Sequence, residues 1–326
     1  MPTGVAGDFK IYQEQFHSGA TEVLMQDTDV FNAASGGTII LNTKNHRGNY
    51  DQESFFTEIS SLINHRDSQA NSAAQQTPVT DAVMGHDDHI KVKLDRRIGP
   101  VLQTLDSFKK ISRDPEEMSF ILGEQWGRAI VGDYVNSALP AANAAFQQVH
   151  LVDGTAGTLN HANLVQGMAK FGDQGKNVKA FVMHSKQYYD LMNQSIADKI
   201  VDVASVTIHQ GTIASLGRPV IVSDVAGLIN TTPTPDEYSC LALMTGAITV
   251  EESEERNIVS QLQTGLPNLS IRYQGEYAYT LGLKGFSWDI ANGLANPNNA
   301  ALITGTNWDQ VASDSKNIGG CVIKTQ

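Results

Sequence analysis

DPEEMSFILGEQWGRAIVGDYVNSAL, Asp114 to Leu139, is the longest stretch of the chain with an unbroken helical apolar period. Asp114 supplies an N-cap oxygen, Pro115 takes the first helical position where no amide bond is lost, and Glu117 lies three residues past the cap. Met118, Ile121, Leu122, Trp126, Ala129, Ile130, Tyr134 and Ala138 fall on one stripe, which predicts a buried face with Met118, Leu122, Trp126 and Ile130 at its core. At about 1.5 Å per residue the helix is roughly 38 Å long, enough to serve as the spine of a domain. Gly123, Gly127 and Gly132 each weaken it by about 0.5–1 kcal/mol relative to Ala. Tertiary packing must therefore hold it, and the bare positions admit close approach by another backbone. Pro140 and the small-residue run AANAAF follow it.

Upstream, residues 1–45 are rich in Gly, Ala, Thr and Ser and predict an extended arm. Asp8 to Phe16 makes at most one or two helical turns there, and Thr38 to Leu41 is strand-like. From Asn45 to Pro100 the composition turns polar, ending in HIKVKLDRRIGP, where Ile90, Val92 and Leu94 alternate with Lys91, Lys93 and Asp95. That period of two predicts a half-exposed strand. So long an excursion with so few core-forming residues predicts a projecting hairpin or loop that finds its burial on another molecule.

Downstream, Asn160 to Phe171 reads as a helix, Val178 to Met183 as a buried strand, and Ser185 to Gln194 as a helix capped by Ser185. Pro219 to Ser223 is a strand, and Tyr238 to Val250 a strand or strand pair. The alternating run Leu269 to Leu283 is continued by Lys284 to Ile290. The second half is mixed α and β, without a fixed-period repeat.

The chain has 326 residues, room for about two domains. A formal charge of −12 argues against a dedicated nucleic-acid binder, which needs clustered Lys and Arg. The only cysteines, Cys240 and Cys321, sit in apolar runs and predict two buried thiols in a reducing compartment. The N-terminal sequence has neither a basic nor an apolar leader region, and no stretch approaches the roughly 18 apolar residues of a membrane span. A soluble protein made in the cytosol is expected.

Chemistry finds little foothold. His86, Asp87, Asp88 and His89 have metal-ligand chemistry, but successive strand residues point to opposite faces, so at most two converge. His184 and Ser185 are adjacent and cannot face each other as base and nucleophile, and there is no G-x-S-x-G elbow. Phosphate-loop, dinucleotide and H-E-x-x-H motifs are absent from the sequence. The acidic run from Glu251 and Glu252 to Glu255 reads as a solvated face with an interface role as the alternative, and Tyr273, Tyr277, Tyr279, Phe286 and Trp288 as sheet packing.

The runs KAFVMHSKQYYDLMNQ (Lys179 to Gln194), SLGRPVIVSDVAG (Ser215 to Gly227) and YSCLALMTGAITVEES (Tyr238 to Ser253) resemble the tailed-bacteriophage major capsid proteins of the Hong Kong 97-type coat fold, also seen in encapsulin shells. The matching positions are Met183, His184, Ser185, Tyr188, Leu191, Leu216, Gly217, Arg218, Pro219, Val220, Ser223, Asp224, Gly246 and Ala247. The resemblance implies an α+β phage-coat fold. Its parts would be an N-terminal arm (1–45), an extended loop (46–100), a peripheral domain with the spine helix (101–155), an axial domain (156–265) and a return to the peripheral domain (266–326).

It also implies a structural, non-enzymatic subunit of an icosahedral capsid, without cofactors, assembled as hexamers and pentamers around double-stranded DNA in the host bacterial cytoplasm. Lys91, Lys93, Arg96, Arg97, Glu251 and Glu252 are the expected inter-subunit contacts. Expected partners are other copies, a portal and, as an option, a decoration protein; contact with DNA is loose, and no membrane is involved. Fewer than 115 residues precede the spine helix, and arm and loop use them up, so a separate scaffolding protein is expected. Within the same fold the alternative is an encapsulin-like compartment; from another class it is a metal-dependent enzyme using His86, Asp88 and His89.

Overall fold

The computed structural model describes residues 8–57, 81–104, 115–202, 217–253, 256–265 and 267–326, with isolated positions at 59, 63, 65, 66, 68, 69, 72 and 106. The Asp114 cap lies outside these residues, as does the Met118 side chain.

The first element corrects an expectation. Asp8–Ala34 is a 27-residue helix, α1, where an extended arm was predicted. Phe16, Ala20, Val23 and Leu24 recur at helical spacing and are buried. They pack on the spine helix α2 (Pro115–Phe146) through contacts that only small residues allow. A Cβ at Gly123 would lie 2.2 Å from the Phe16 carbonyl oxygen, and one at Gly127 3.0 Å from that of Ala20. Two of the spine's bare positions are thus where another backbone approaches; at Gly132 nothing lies within 4 Å.

α2 also outruns its prediction, continuing through Pro140 for 32 residues, about 48 Å. Proline removes one amide bond, but its ring packs so closely on Gly227 that a Cβ there would meet Pro140 Cγ at 2.3 Å. Beyond it Ala141, Ala142, Ala145 and Phe146 are fully buried. Packing overrides the local stop signal.

Two sheets flank this spine. The strands are β1 (Ile39–Thr43), β2 (Tyr50–Phe56), β3 (His86–Thr104), β4 (Leu151–Gly154), β5 (Val178–Met183), β6 (Val220–Val222) and β7 (Ile229–Asn230). They continue with β8 (Glu237–Met244), β9 (Ile248–Glu252), β10 (Asn257–Gln263), β11 (Ser270–Leu283), β12 (Phe286–Trp288), β13 (Trp308–Gln310) and β14 (Gly320–Thr325). The eight-stranded sheet runs β1-β9-β11-β12-β13, with β10 and β3 joined to β11 and β2 to β3. The six-stranded sheet runs β4-β14-β8-β5-β6, with β7 on β8.

The second sheet shows the period-two rule on both faces. Val182, Leu241, Leu243 and Val322 face the main core with the spine. Their neighbours Phe181, Met183, Cys240, Ala242, Cys321 and Ile323 face the other way. There they pack with Leu164 of α3 (His161–Ala169) and Leu191 of α4 (Ser185–Asp202). Both cysteines are buried free thiols.

Tyr238 to Val250 holds a pair of strands, β8 and β9, which belong to different sheets. The chain crosses at Thr245–Ala247, where Gly246 adopts φ +66, a conformation that favours glycine. β9, β10 and β11 belong to the first sheet, and β14 lies in the second. The Leu269-to-Ile290 run is broken by a turn at Lys284–Gly285, which pairs Leu283 with Phe286.

Candidate assembly surfaces

β2 and β3 form the expected hairpin, with Phe56 opposite His86 at one end and Tyr50 opposite Val92 at the other. Its root is not half-exposed: Val92 and Leu94 are fully buried in the chain's own core, and Lys91 and Lys93 are only 7% exposed. Lys91 Nζ lies 3.4 Å from Glu251 and 3.8 Å from Asp51, and Lys44 Nζ donates to Asp51 at 2.6 Å and Glu53 at 3.2 Å. Burial opposes ionisation of Asp51, but the Lys44 ammonium overrides it and holds the carboxyl below its ordinary value. Lys93 Nζ lies 3.9 Å from Asp95. Two of the four cations expected at subunit contacts are therefore neutralised within the chain. Glu251 is buried as well. Glu252 pairs with Arg256 at 2.8 Å, yet burial raises its carboxyl above the ordinary value. This acidic pair is a covered one, not a solvated face.

Arg96 is likewise turned inward. Its Nη2 donates to Ser137 at 3.1 Å and Asn299 at 2.6 Å, and its Nε lies 3.3 Å from Asp133. The Tyr277 and Tyr279 hydroxyls donate to the same Asp133 oxygen at 2.7 and 3.1 Å, locking β11 and β3 to the spine. Burial raises both phenols, Tyr279 to about 12. The aromatic run is packed inside the sheet, with Trp288 and Phe286 in the main core. Asp133 escaped sequence reading because its partners are remote, Tyr279 lying 146 residues away.

Several of the residues behind the family resemblance meet; Leu216 lies outside the described residues. Asp224, just after β6, accepts the Ser185 backbone amide at 3.0 Å and lies 3.3 Å from His184 Nε2. His184 Nδ1 accepts the Lys186 amide at 3.1 Å. α4 is thus capped by His184 and Asp224 where a Ser185 side-chain cap was predicted. The hydrogen bonds from Ser185 hold the Asp224 carboxyl below its ordinary value. The Pro219 carbonyl accepts from the Phe181 amide at 3.1 Å, aligning β6 with β5; Gly217 precedes it with φ +73. Tyr188 packs on the outer face of the second sheet. On the spine, Leu122 and Trp126 meet Phe16 and Ile258, while Ile130 enters the main core.

What faces outward differs. Arg97 is exposed, opposite Glu276 on β11. At the far end of the hairpin Phe55, Phe56, Val83 and Met84 are exposed, Phe56 at 74%. Asp88 accepts from Ser54 at 2.6 Å and Gln52 at 2.8 Å, and His89 Nε2 lies 3.3 Å from the Leu283 carbonyl oxygen. Among the described residues no group of three His, Cys, Asp or Glu could hold a metal ion, and no helix is long and apolar enough to cross a membrane.

Several solved structures share this architecture. The "Capsid of Ralstonia phage GP4" superposes with a TM-score of 0.53 at 10% identity, covering 89% of this chain and 87% of that one. "The head structure of Helicobacter pylori bacteriophage KHP40" gives 0.52 at 8%, covering 90% and 88%. Microbacterium phage Oxtober96 gives 0.51 at 10%, covering 90% and 91%. At such identities the likeness is one of fold, and that fold is the α+β phage coat. No curated protein matches significantly. The Gp13-like model, described as Major capsid protein 13-like, matches residues 8–322, nearly the whole length over which the two sheets and the spine are built, so the chain belongs to the Gp13-like major capsid protein family.

Proposed function

We infer that this capsid protein is the repeating subunit of a closed icosahedral shell, assembled as hexamers and pentamers of one polypeptide and enclosing double-stranded DNA. The observation that carries the reading is the β2–β3 hairpin: a root fixed by buried ion pairs and an outer described end bearing Phe55, Phe56, Val83 and Met84 exposed. Apolar side chains presented on a projecting element bury their surface against a neighbour. In this reading the eight-stranded sheet with α2 is the peripheral domain, the six-stranded sheet with α3 and α4 the axial domain, and residues 46–100 the extended loop. Of the four basic residues expected at contacts, Arg97 is the exposed one and pairs across subunits in this reading, setting register more than affinity.

A shell subunit needs no catalytic centre; it needs many moderate contacts that add over a lattice. The net charge of −12 favours loose, non-specific contact with packaged DNA. A separate scaffolding protein, a portal and an optional decoration protein complete the proposed partners, with assembly in the host bacterial cytoplasm. Electron micrographs and sedimentation of the purified protein test the reading. Closed particles of megadalton size are expected; a small stable oligomer overturns it. Tight, salt-sensitive DNA binding by the dispersed subunit overturns the proposed DNA contact.

A further inference from the structure

The connection from β12 to β13, residues 289–307, has one charged residue, Asp289, in 19 positions, where 18% over the whole chain would put about three. It holds two short helices, α5 (Ile290–Gly293) and α6 (Asn299–Leu302). Between them the backbone enters the region that favours glycine: Leu294 sits at φ +59 and ψ −180, and Asn296 at φ +47. Asparagine tolerates a positive φ; for leucine, whose Cβ crowds the backbone there, it is a strained state.

The surroundings impose that strain. The Asp289 carboxylate accepts the Ala291 and Asn292 amides at 2.8 and 3.3 Å, and its carbonyl accepts the Gly293 amide at 2.9 Å. The buried Trp288 indole donates to the Leu294 carbonyl at 3.0 Å, and a Cβ at Gly293 would stand 2.3 Å from the same ring. Downstream, Asn296 Oδ1 accepts the Asp95 amide of β3 at 3.0 Å. The backbone is pinned on both sides of Leu294, yet its side chain is 65% exposed. A turn alone would be served better by glycine, which meets no steric penalty there. Strain kept for a side chain that packs so little on its own subunit points to a role for that side chain outside it.

A chain of net charge −12 repels a second copy of itself over most of its surface, and this nearly uncharged loop does not. One leucine and its surroundings cover far less than the roughly 1,200 Å² of a specific free complex, so such a contact holds only between partners already set side by side. Copies of one subunit in a shell meet that condition. Asn299 of the same loop accepts from Arg96, next to the exposed Arg97 already assigned to cross-subunit pairing. We propose that Leu294 is an anchor residue that is buried against a second copy of this chain in the assembled shell. This rests on the shell reading above.

Both native cysteines are buried, so Leu294→Cys adds one accessible thiol. Co-assembled with excess wild type so that particles form, L294C is expected to react with a maleimide about ten-fold or more slowly in particles of this chain alone than in dispersed subunits. Leu294→Gly relieves the backbone, and that gain offsets the extra freedom of glycine in the unfolded chain. The urea midpoint of dispersed L294G is expected to be no lower than that of wild type, while particle yield falls by about five-fold or more. Equal labelling in closed particles and dispersed subunits, or full particle yield from L294G, overturns the contact and leaves the shell reading standing. A lower midpoint for dispersed L294G overturns the strained state of Leu294 and the contact with it. Wild-type protein that forms no particles overturns both readings.

Discussion

Replacing Gly123 and Gly132 of the spine helix by alanine, one at a time, has opposite expected signs, because the two glycines have opposite surroundings. In an isolated helix each change gains about 0.5–1 kcal/mol by restricting the unfolded chain. At Gly132 nothing lies within 4 Å of the new Cβ, so G132A keeps that gain. At Gly123 the Cβ would stand 2.2 Å from the Phe16 carbonyl oxygen and 3.1 Å from the Ala20 amide nitrogen, both backbone atoms of α1. The helices must separate by about 1 Å, which opens the cluster of Phe16, Ala20, Trp126 and Ile258. Overpacking of this kind costs about 1–3 kcal/mol, enough to exceed the helix gain. Urea denaturation of the dispersed subunit reads both variants. A lower midpoint for G123A and a higher one for G132A are expected. Equal stabilisation by both would refute the packing of α1 on its own spine.

Other predictions concern charge and exposure. Lys91→Met leaves Glu251 buried without its cation and should cost about 3–5 kcal/mol, while the double change K91M/E251L should recover most of it; equal losses in the two would remove the pair from the root of the hairpin. Arg97→Gln should leave the stability of the dispersed subunit within about 0.5 kcal/mol but lower particle yield, and an unchanged yield excludes Arg97 from the interface. Because the Asp51 carboxyl is held below its ordinary value, its contribution is complete above about pH 4 and is lost as pH falls through the depressed value. Acid titration of wild type and Asp51→Asn should therefore diverge above that pH and converge below it. Tyr279 has the opposite dependence: with its phenol pushed up to about 12, stability falls as pH rises from about 10 towards 12, and a flat alkaline stability curve would contradict its burial.

Local patterns were legible where a residue's environment lies nearby in sequence. β5 was read to its ends, and Asn160 caps α3 by accepting the Asn163 amide, as a helix beginning there requires. The phage-coat resemblance rested on motif residues that meet physically, with Asp224 reaching the first turn of α4. α1 was missed because its buried face holds Ala20 beside Phe16, and Gly19 admits the Phe120 carbonyl; burial there comes from close helix approach, which hydrophobicity patterns do not register. Lys91 and Lys93 looked outward by period two, but Lys91 finds Glu251 from 160 residues away. The inward Arg96 needs Asp133 of the spine and Asn299, two more remote partners. Distant ion partners leave no trace in a local window.

In the proposed reading the two sheets and spine close on themselves within one subunit, while the outer described end of the β2–β3 hairpin is buried by a neighbour. Hydrogen exchange compared between dispersed subunits and assembled particles tests it most directly. Amides at 81–85, just outside the β2–β3 ladder, should exchange freely in the dispersed protein and become protected on assembly, while β8 and β14 stay protected in both. An outer end already protected in the dispersed subunit, or still unprotected in closed particles, would contradict the account.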